Sequence, residues 1–211
     1  VFSYRDAEMF SRKAVETGRE VKIHIAADTG MCRIGYVPSP EAIEEVKKIA
    51  ALPGIAMQGI FTHFSEADIA DKEWAHEQHR RFSDFIDALK EAGVTFNIHH
   101  CCNSAGTLEL PDFHREMIRP GIIQYGYDAS KEVLVTGTKI KPVMSLRCCI
   151  THLKTIYEGD CVGYGRHFTA TGPTKIATLP IGYADGYNRA LSSKIDVIVH
   201  GVRAHQVGNI C

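Results

Sequence analysis

The feature that most constrains this chain is a regular alternation of apolar strand-like runs and amphipathic helical segments from its start to Gly126. "VKIHIAA" (21–27), "GIAMQGIFTHF" (54–64), "FNIHHC" (96–101) and "MIRPGIIQYG" (117–126) read as strands. Between them residues 6–18 read as a helix, with Ala7, Phe10, Ala14 and Val15 on one stripe. "SPEAIEEVKKIAAL" begins a second helix, where Ser39 can cap and Pro40 suits the first turn. Residues 72–92 form the longest helix, with Phe82, Phe85, Ile86 and Leu89 on its apolar side, and "NSAGTLEL" is a turn into a short one. This order predicts parallel strands joined by right-handed helical crossovers. Neither GxGxxG nor GxxxxGK[ST] occurs, so a nucleotide-binding sheet has no local support. Polar residues fall at successive strand ends: Asp28 and Arg33, then His63, then Asn103 and Ser104, then Arg119. In a (β/α) barrel such positions converge on one site, which favours a barrel over an open sheet.

After Lys131 the pattern changes. "VMSLRCCITHLKTIYEGDCVGYGRHFTATGPTKIATLPIGYADGY" has short β-branched runs broken by Gly, Pro and Asp, with no helical period. It reads as a second, mostly β domain, and "VHGVRA" as a hairpin within it. The domains expected are therefore 1–131 and 132–211. The first residue is not methionine and the last falls in an apolar strand, so the sequence reads as an internal piece of a longer protein.

Composition narrows the partners. Of 211 residues 45% are hydrophobic and 23% charged, and the formal net charge is -1. That is an ordinary globular balance, and it argues against nucleic acid or a polybasic membrane contact. No apolar run approaches the roughly 20 residues that span a bilayer, and the start has no signal-peptide character. Seven cysteines, an odd number with no CxxC spacing, fit reduced thiols in a cytoplasmic protein. In "HHCC" (His99 to Cys102) strand alternation sends neighbours to opposite faces, so no metal site is expected there.

Taken singly, the chemical residues admit two readings each. His63 in "FTHFSEAD" suits a hydrogen-bonded core histidine or a catalyst. Arg119, inside an apolar stretch, suits a structural ion pair or a ligand contact, since a buried guanidinium must find an acceptor. Ser104 with the Gly121–Ile122 backbone could bind phosphate or cap helices. "HEQH" (His76 to His79) lacks the HExxH pattern and reads as a solvated helix face. "DTGM" lacks the second loop of an aspartic-protease site.

Together they say more. "DTGMCRIGY", "GIFTHFSEAD", "HCCNSAG", "IRPGIIQYG", "GDCVGYGRHFTA", "IATLPIGYADGYNR" and "VRAHQVGNIC" resemble, in this order and spacing, the alanine racemase family. The resemblance covers nearly the whole chain. It implies a partial (β/α)8 TIM-type barrel followed by part of a mostly-β C-terminal domain, with pyridoxal 5'-phosphate as cofactor. It implies interconversion of L- and D-alanine by two bases, supplying D-alanine for bacterial peptidoglycan, in a cytoplasmic homodimer with shared active sites. One base is the lysine that holds the cofactor; the other matches Tyr183, given to the opposite subunit's site. The resemblance places Arg119 at the pyridine nitrogen, to which an arginine donates without giving up its proton. His63 would link the tyrosine to Arg119. Arg33 would meet the cofactor's phenolic oxygen and lie near the substrate carboxylate. Ser104, Gly121 and Ile122 would hold the phosphate with Asn103 beside them, and no metal is implied.

Three departures stand out. Ala26 occupies a position where the family often has an arginine-orienting lysine, and Cys32 stands where glycine is common before that arginine. No "KANAYGHG"-like segment is present, so the cofactor lysine and the first barrel strands are expected to lie outside these residues, as is part of the β domain. Other readings are a racemase of different specificity, a related decarboxylase, a non-catalytic pyridoxal-phosphate-binding protein, and an inactive partial gene product.

Overall fold

A computed structural model describes residues 1–132 and 140–211. They fall into two compact units, Val1–Met144 and Ser145–Cys211. The first begins with α1 (Tyr4–Thr17), whose Ser3 hydroxyl accepts from the Asp6 amide at 3.2 Å and whose end is closed by left-handed Gly18. It continues through β1 (Val21–Ala26), α2 (Pro40–Ala50), β2 (Ile55–Phe61), α3 (Glu73–Glu91), β3 (Ile98–His100) and α4 (Ser104–Glu109). The three strands are parallel in the order β1-β2-β3, which makes this unit a partial (β/α) barrel. Ser39 caps α2 through the Ala42 amide at 3.1 Å, with Pro40 in the first turn. Ile23, Ile25 and Ile60 of the strands pack with Val46 and Ile49 of α2 and Phe82, Phe85 and Leu89 of α3. The alternation of strand and helix thus builds one core.

Three expectations are corrected. The stripe on α1 is narrower than its apolar residues suggest: Ala7, Ser11 and Ala14 are buried, whereas Phe10 and Val15 are exposed. Ser11 replaces the lost apolar contact by donating to the Pro53 carbonyl at 2.7 Å. "MIRPGIIQYG" is not a strand. The Arg119 amide reaches the Cys102 carbonyl at 2.9 Å, but Pro120 has no N–H to continue a ladder, and Ile122–Tyr125 turn into a 3-10 helix. In "HEQH", His76 is exposed as a solvated face requires, but Gln78 is fully buried and His79 half-buried against Phe113.

The second unit is mostly β. β4 (His152–Ile156) pairs antiparallel with β7 (Thr174–Thr178), β5 (Cys161–Val162) with β6 (Phe168–Thr169), and β8 (Asp196–Val199) with β9 (Val202–His205). The β8–β9 pair is the hairpin expected at "VHGVRA". His200 and Gly201 both have positive φ at its turn (50° and 80°), the backbone that matches strand twist. Among the described residues no helix is long and apolar enough to cross a membrane.

Candidate active site

The site grows from the carboxyl ends of β1, β2 and β3. After β1, Asp28 accepts from the amides of Gly30 (3.0 Å) and Cys32 (2.9 Å), folding "DTGMCR" into a tight loop. Cys32 has φ 54°, a left-handed backbone that glycine adopts without strain and cysteine does not. Three residues further on, Gly35 passes so close to Ala26 and Asp28 that a Cβ would stand 2.9 Å from their backbone atoms. The loop backbone is therefore set by Asp28, with Ala26 buried beneath it. The Arg33 side chain is exposed and has no hydrogen-bond partner among the described residues.

His63 follows β2. Its backbone carbonyl accepts from Gln78 of α3 at 3.1 Å, and the same amide's oxygen accepts from the Ser65 N–H at 2.9 Å. Burial first, and then the fields of Arg119 and Arg33, lower the ring's pKa from the ordinary histidine value and favour its neutral form. His63 therefore lies under the influence of both guanidinium groups. No hydrogen bond joins it to Arg119 among the described residues, so the expected His63–Arg119 link is not made.

Arg119 takes other partners. Nη2 donates to the Thr62 carbonyl at 2.7 Å, and Nη1 donates to His100 Nδ1. The guanidinium lies 5.2 Å above the Phe61 ring, on which His100 is also stacked. No carboxylate pairs with it among the described residues, which removes the structural ion-pair reading. Two of its five N–H donors are engaged, and the rest have no partner among the described residues.

Ser104 opens α4, and its hydroxyl accepts from the Gly121 amide at 2.8 Å. The amides of Ile122 and Ile123 begin the 3-10 turn with no acceptor among the described residues. A Cβ at Gly121 would meet only Ser104 Oγ, at 3.6 Å. A hydroxyl, a turn's first amides and a side-chain-free approach make a donor set that suits a phosphate. Asn103 is spent elsewhere: its oxygen caps Gly106 at 3.0 Å and its nitrogen reaches the Phe64 carbonyl at 3.3 Å. A donor-only guanidinium beside such a cradle also suits a ring nitrogen, so the residues fit pyridoxal phosphate.

In the second unit Tyr183 begins a 3-10 turn (Tyr183–Asp185) that Gly186 closes in a left-handed conformation. The Asp185 carboxylate accepts from the Gly182 amide at 3.0 Å, and the Tyr183 amide donates to the Cys211 carbonyl at 3.0 Å. The phenol is 59% exposed and has no hydrogen bond among the described residues, so it is presented outward.

In "HHCC" the two histidines point apart as strand alternation requires: His99 turns to Glu116 at 2.9 Å, while His100 turns to Arg119. The two cysteines do not alternate, because they lie beyond β3 and both thiols reach the Phe113 carbonyl at 3.4 Å. Sequence reasoning missed His24, His100, Thr62 and Gln78. A glycine within a strand marks a close approach, and Gly59 in "MQGIF" was the one signal pointing to the two histidines.

A partial (β/α) barrel carrying this cradle, in series with a β unit, defines the two-domain racemase class of barrel proteins. Within that class the chain belongs to the alanine racemase family. Residues 1–129 match the model of the alanine racemase N-terminal domain and residues 143–211 that of the C-terminal domain. The chain is 46% identical over 211 residues to alanine racemase 1 of Clostridium acetobutylicum, covering 100% of this chain and 55% of that protein. It is 45% identical to the alanine racemase of Clostridium novyi, covering 54% of that protein. Among solved structures, an alanine racemase of Clostridium difficile 630 superposes with TM-score 0.95 at 37% identity, over all of this chain and 55% of the other. The Bacillus anthracis alanine racemase with bound L-Ala-P gives TM-score 0.89 at 31% identity, over all of this chain and 54% of the other. A histidine racemase of Leuconostoc mesenteroides shares the fold, with TM-score 0.90 at 24% identity. The chain thus spans about half the length of the relatives it matches.

Proposed function

We propose that the protein to which these residues belong interconverts L- and D-alanine with pyridoxal phosphate, and that this chain supplies the cofactor cradle and one of the two bases. The observation that carries the reading is Arg119, a half-buried guanidinium held by a neutral imidazole and a carbonyl, with no carboxylate beside it among the described residues. Its remaining N–H groups can donate to an acceptor that carries no proton of its own, and a pyridine nitrogen is one. The cofactor, when bound, supplies the electron-withdrawing ring that acidifies the amino acid's alpha C–H. Arg119 would donate to the ring nitrogen without protonating it, which keeps the electron sink weak and leaves the proton work to side chains. Ser104 and the Ile122 amide would hold the phosphate, with the Gly121 amide joining them on release from the Ser104 hydroxyl and Asn103 acting only through the cap on α4. Arg33, exposed and without a partner among the described residues, would meet the substrate carboxylate.

Tyr183 would take or return the alpha proton on one face. A phenol titrates near 10 in water, so it needs positive neighbours to serve as a base near neutrality. We place the positive neighbour, Arg119, in the opposite subunit of a homodimer, with neutral His63 beside it as a hydrogen-bonding group. The second base is a lysine that we place outside these residues. Known relatives support a small amino-acid substrate: one solved C. difficile alanine racemase is a complex with cycloserine, and the B. anthracis structure holds L-Ala-P. The fold alone does not select alanine, since the histidine racemase shares it. Supply of D-alanine for peptidoglycan in the cytoplasm follows from the same reading.

The test is alpha-proton exchange of each alanine antipode with the whole protein in D2O, read by NMR. The wild type should exchange both antipodes and racemise them. Tyr183→Phe should lose racemisation by about 10²–10⁴-fold while one antipode still exchanges. Equal loss for both antipodes would remove Tyr183 from the role of a one-face base, and absence of wild-type exchange would overturn the racemase reading.

A further inference from the structure

His24 and His100 stand on the outer strands of the sheet, with β2 between them, yet His24 Nδ1 lies 2.7 Å from His100 Nε2. Strands two apart are separated by roughly 10 Å of backbone, and an intervening side chain would block such a contact. The intervening residue is Gly59, in register with His24 on one side and Ile98 on the other. A Cβ there would sit 2.6 Å from His24 Cε1 and Nδ1 and 2.7 Å from the Ile98 carbonyl oxygen. The register shift between Ile23 and His24 is what brings the histidine opposite this gap.

The arginine then dictates every proton in the row. A guanidinium only donates, so His100 Nδ1 accepts from Arg119 Nη1 and the His100 ring proton sits on Nε2. That proton is given to His24 Nδ1, which puts the His24 proton on Nε2, facing Gln58 Oε1 at 3.4 Å. A second proton on either ring would set two donors face to face. Burial, then Arg119, His24 and His99, hold His100 down to about 3, in keeping with a neutral ring.

We infer that His24 is a positioning residue for Arg119, acting through His100 across the gap at Gly59. His24 satisfies the buried His100 N–H and so keeps His100 Nδ1 aimed at the guanidinium; Phe61, stacked on His100 and lying under Arg119, fixes the plane. The consequence for racemisation rests on the function proposed above, whereas the proton arrangement does not.

Two measurements test this. Long-range 15N–1H correlation NMR on the histidine-labelled whole protein at neutral pH, with His24 and His100 assigned by substitution, should find both as neutral Nε2–H tautomers. A charged ring or an Nδ1–H tautomer at either position in the wild type overturns the inference. In the whole protein His24→Asn keeps an acceptor where Nδ1 stood, and should preserve the His100 tautomer and hold kcat within about threefold. His24→Leu removes the acceptor and should lower kcat on the order of tenfold to a hundredfold with KM for alanine little changed. Equal loss in the two variants at matched melting temperatures would reduce His24 to a packing residue and overturn the inference, as would full kcat in His24→Leu. A wild type with no racemase activity would sink the functional reading alone, because the tautomers are still read by NMR.

Discussion

At the scale of single residues, the site is organised by groups whose hydrogen-bonding capacity leaves little choice. Gln78 is fully buried and uses both ends of its amide, donating to the His63 carbonyl and accepting from the Ser65 amide and hydroxyl. Gln78→Leu would leave buried backbone groups unpaired at a cost of about 1–3 kcal/mol each. Denaturant unfolding should fall by that order, and failure to see it would mean water takes the vacated places. His79 shows the same logic with a titration. Its ring stacks on Phe113 at 3.9 Å, and Arg115 Nη2, a donor, lies 3.3 Å from Nε2, so the ring must be neutral to accept. Burial first, then Arg115 and His76, hold it down to about 4. Because the folded value lies below the unfolded one, the unfolded chain takes up the proton first. Stability from this group is present above about pH 6.5 and is lost as pH falls toward 4. Melting temperature should therefore drop across that window, and His79→Gln should flatten the slope; an unchanged slope would assign the acid sensitivity to other groups, His100 first. Arg33, His63, Ser104 and Arg119 were legible in the sequence as polar residues at strand ends. His24, His100 and Gln78 were not, because what makes them significant is a partner many residues away.

At the scale of elements, boundaries written in local chemistry were readable and long-range registry was not. Ser39-Pro40 and the period of α3 announce their helices, and His200-Gly201 announces a hairpin, because each signal lies within a few residues. "MIRPGIIQYG" has strand composition, but strand formation needs a neighbour's ladder, and Pro120 withholds the donor that a ladder requires. α1 misled for a related reason: which of its residues meet the core depends on the crossing over the sheet, and Ala7, Ser11 and Ala14 sit on that line while Phe10 does not. β2 illustrates what registry can add. Gly59→Ala introduces only a methyl group, yet that methyl falls into the His24 ring and the Ile98 carbonyl. We expect a loss of about 1–3 kcal/mol from overpacking, with the His24–His100 contact broken. If Gly59→Ala unfolds at the wild-type midpoint, the two histidines do not meet across β2.

At the scale of the whole molecule, the loss of helical period after Lys131 announces a different kind of structure, and the second compact unit begins at Ser145, because periodicity reports local architecture and not the exact boundary. It carries no information about which copy of the second unit completes which site. The chemistry proposed for Arg119 and Tyr183 demands that they meet, and the two belong to different units. If Tyr183 serves the partner's cradle, Arg119→Ala and Tyr183→Phe damage complementary halves. In a heterodimer of the two variants, one site receives an intact Arg119 from one chain and an intact Tyr183 from the other; the remaining site carries both lesions. Random reassociation should therefore restore about a quarter of wild-type sites from two inactive homodimers, as expected for a twofold assembly. If Tyr183 served its own chain's cradle, every site in the mixture would carry a lesion and no activity would return. The measurement is racemase activity after unfolding and refolding the variants together, with heterodimer content established by differently sized tags. Recovery that scales with heterodimer content supports a shared site, whereas confirmed heterodimers without activity would confine each site to one chain and refute the exchange of tyrosines.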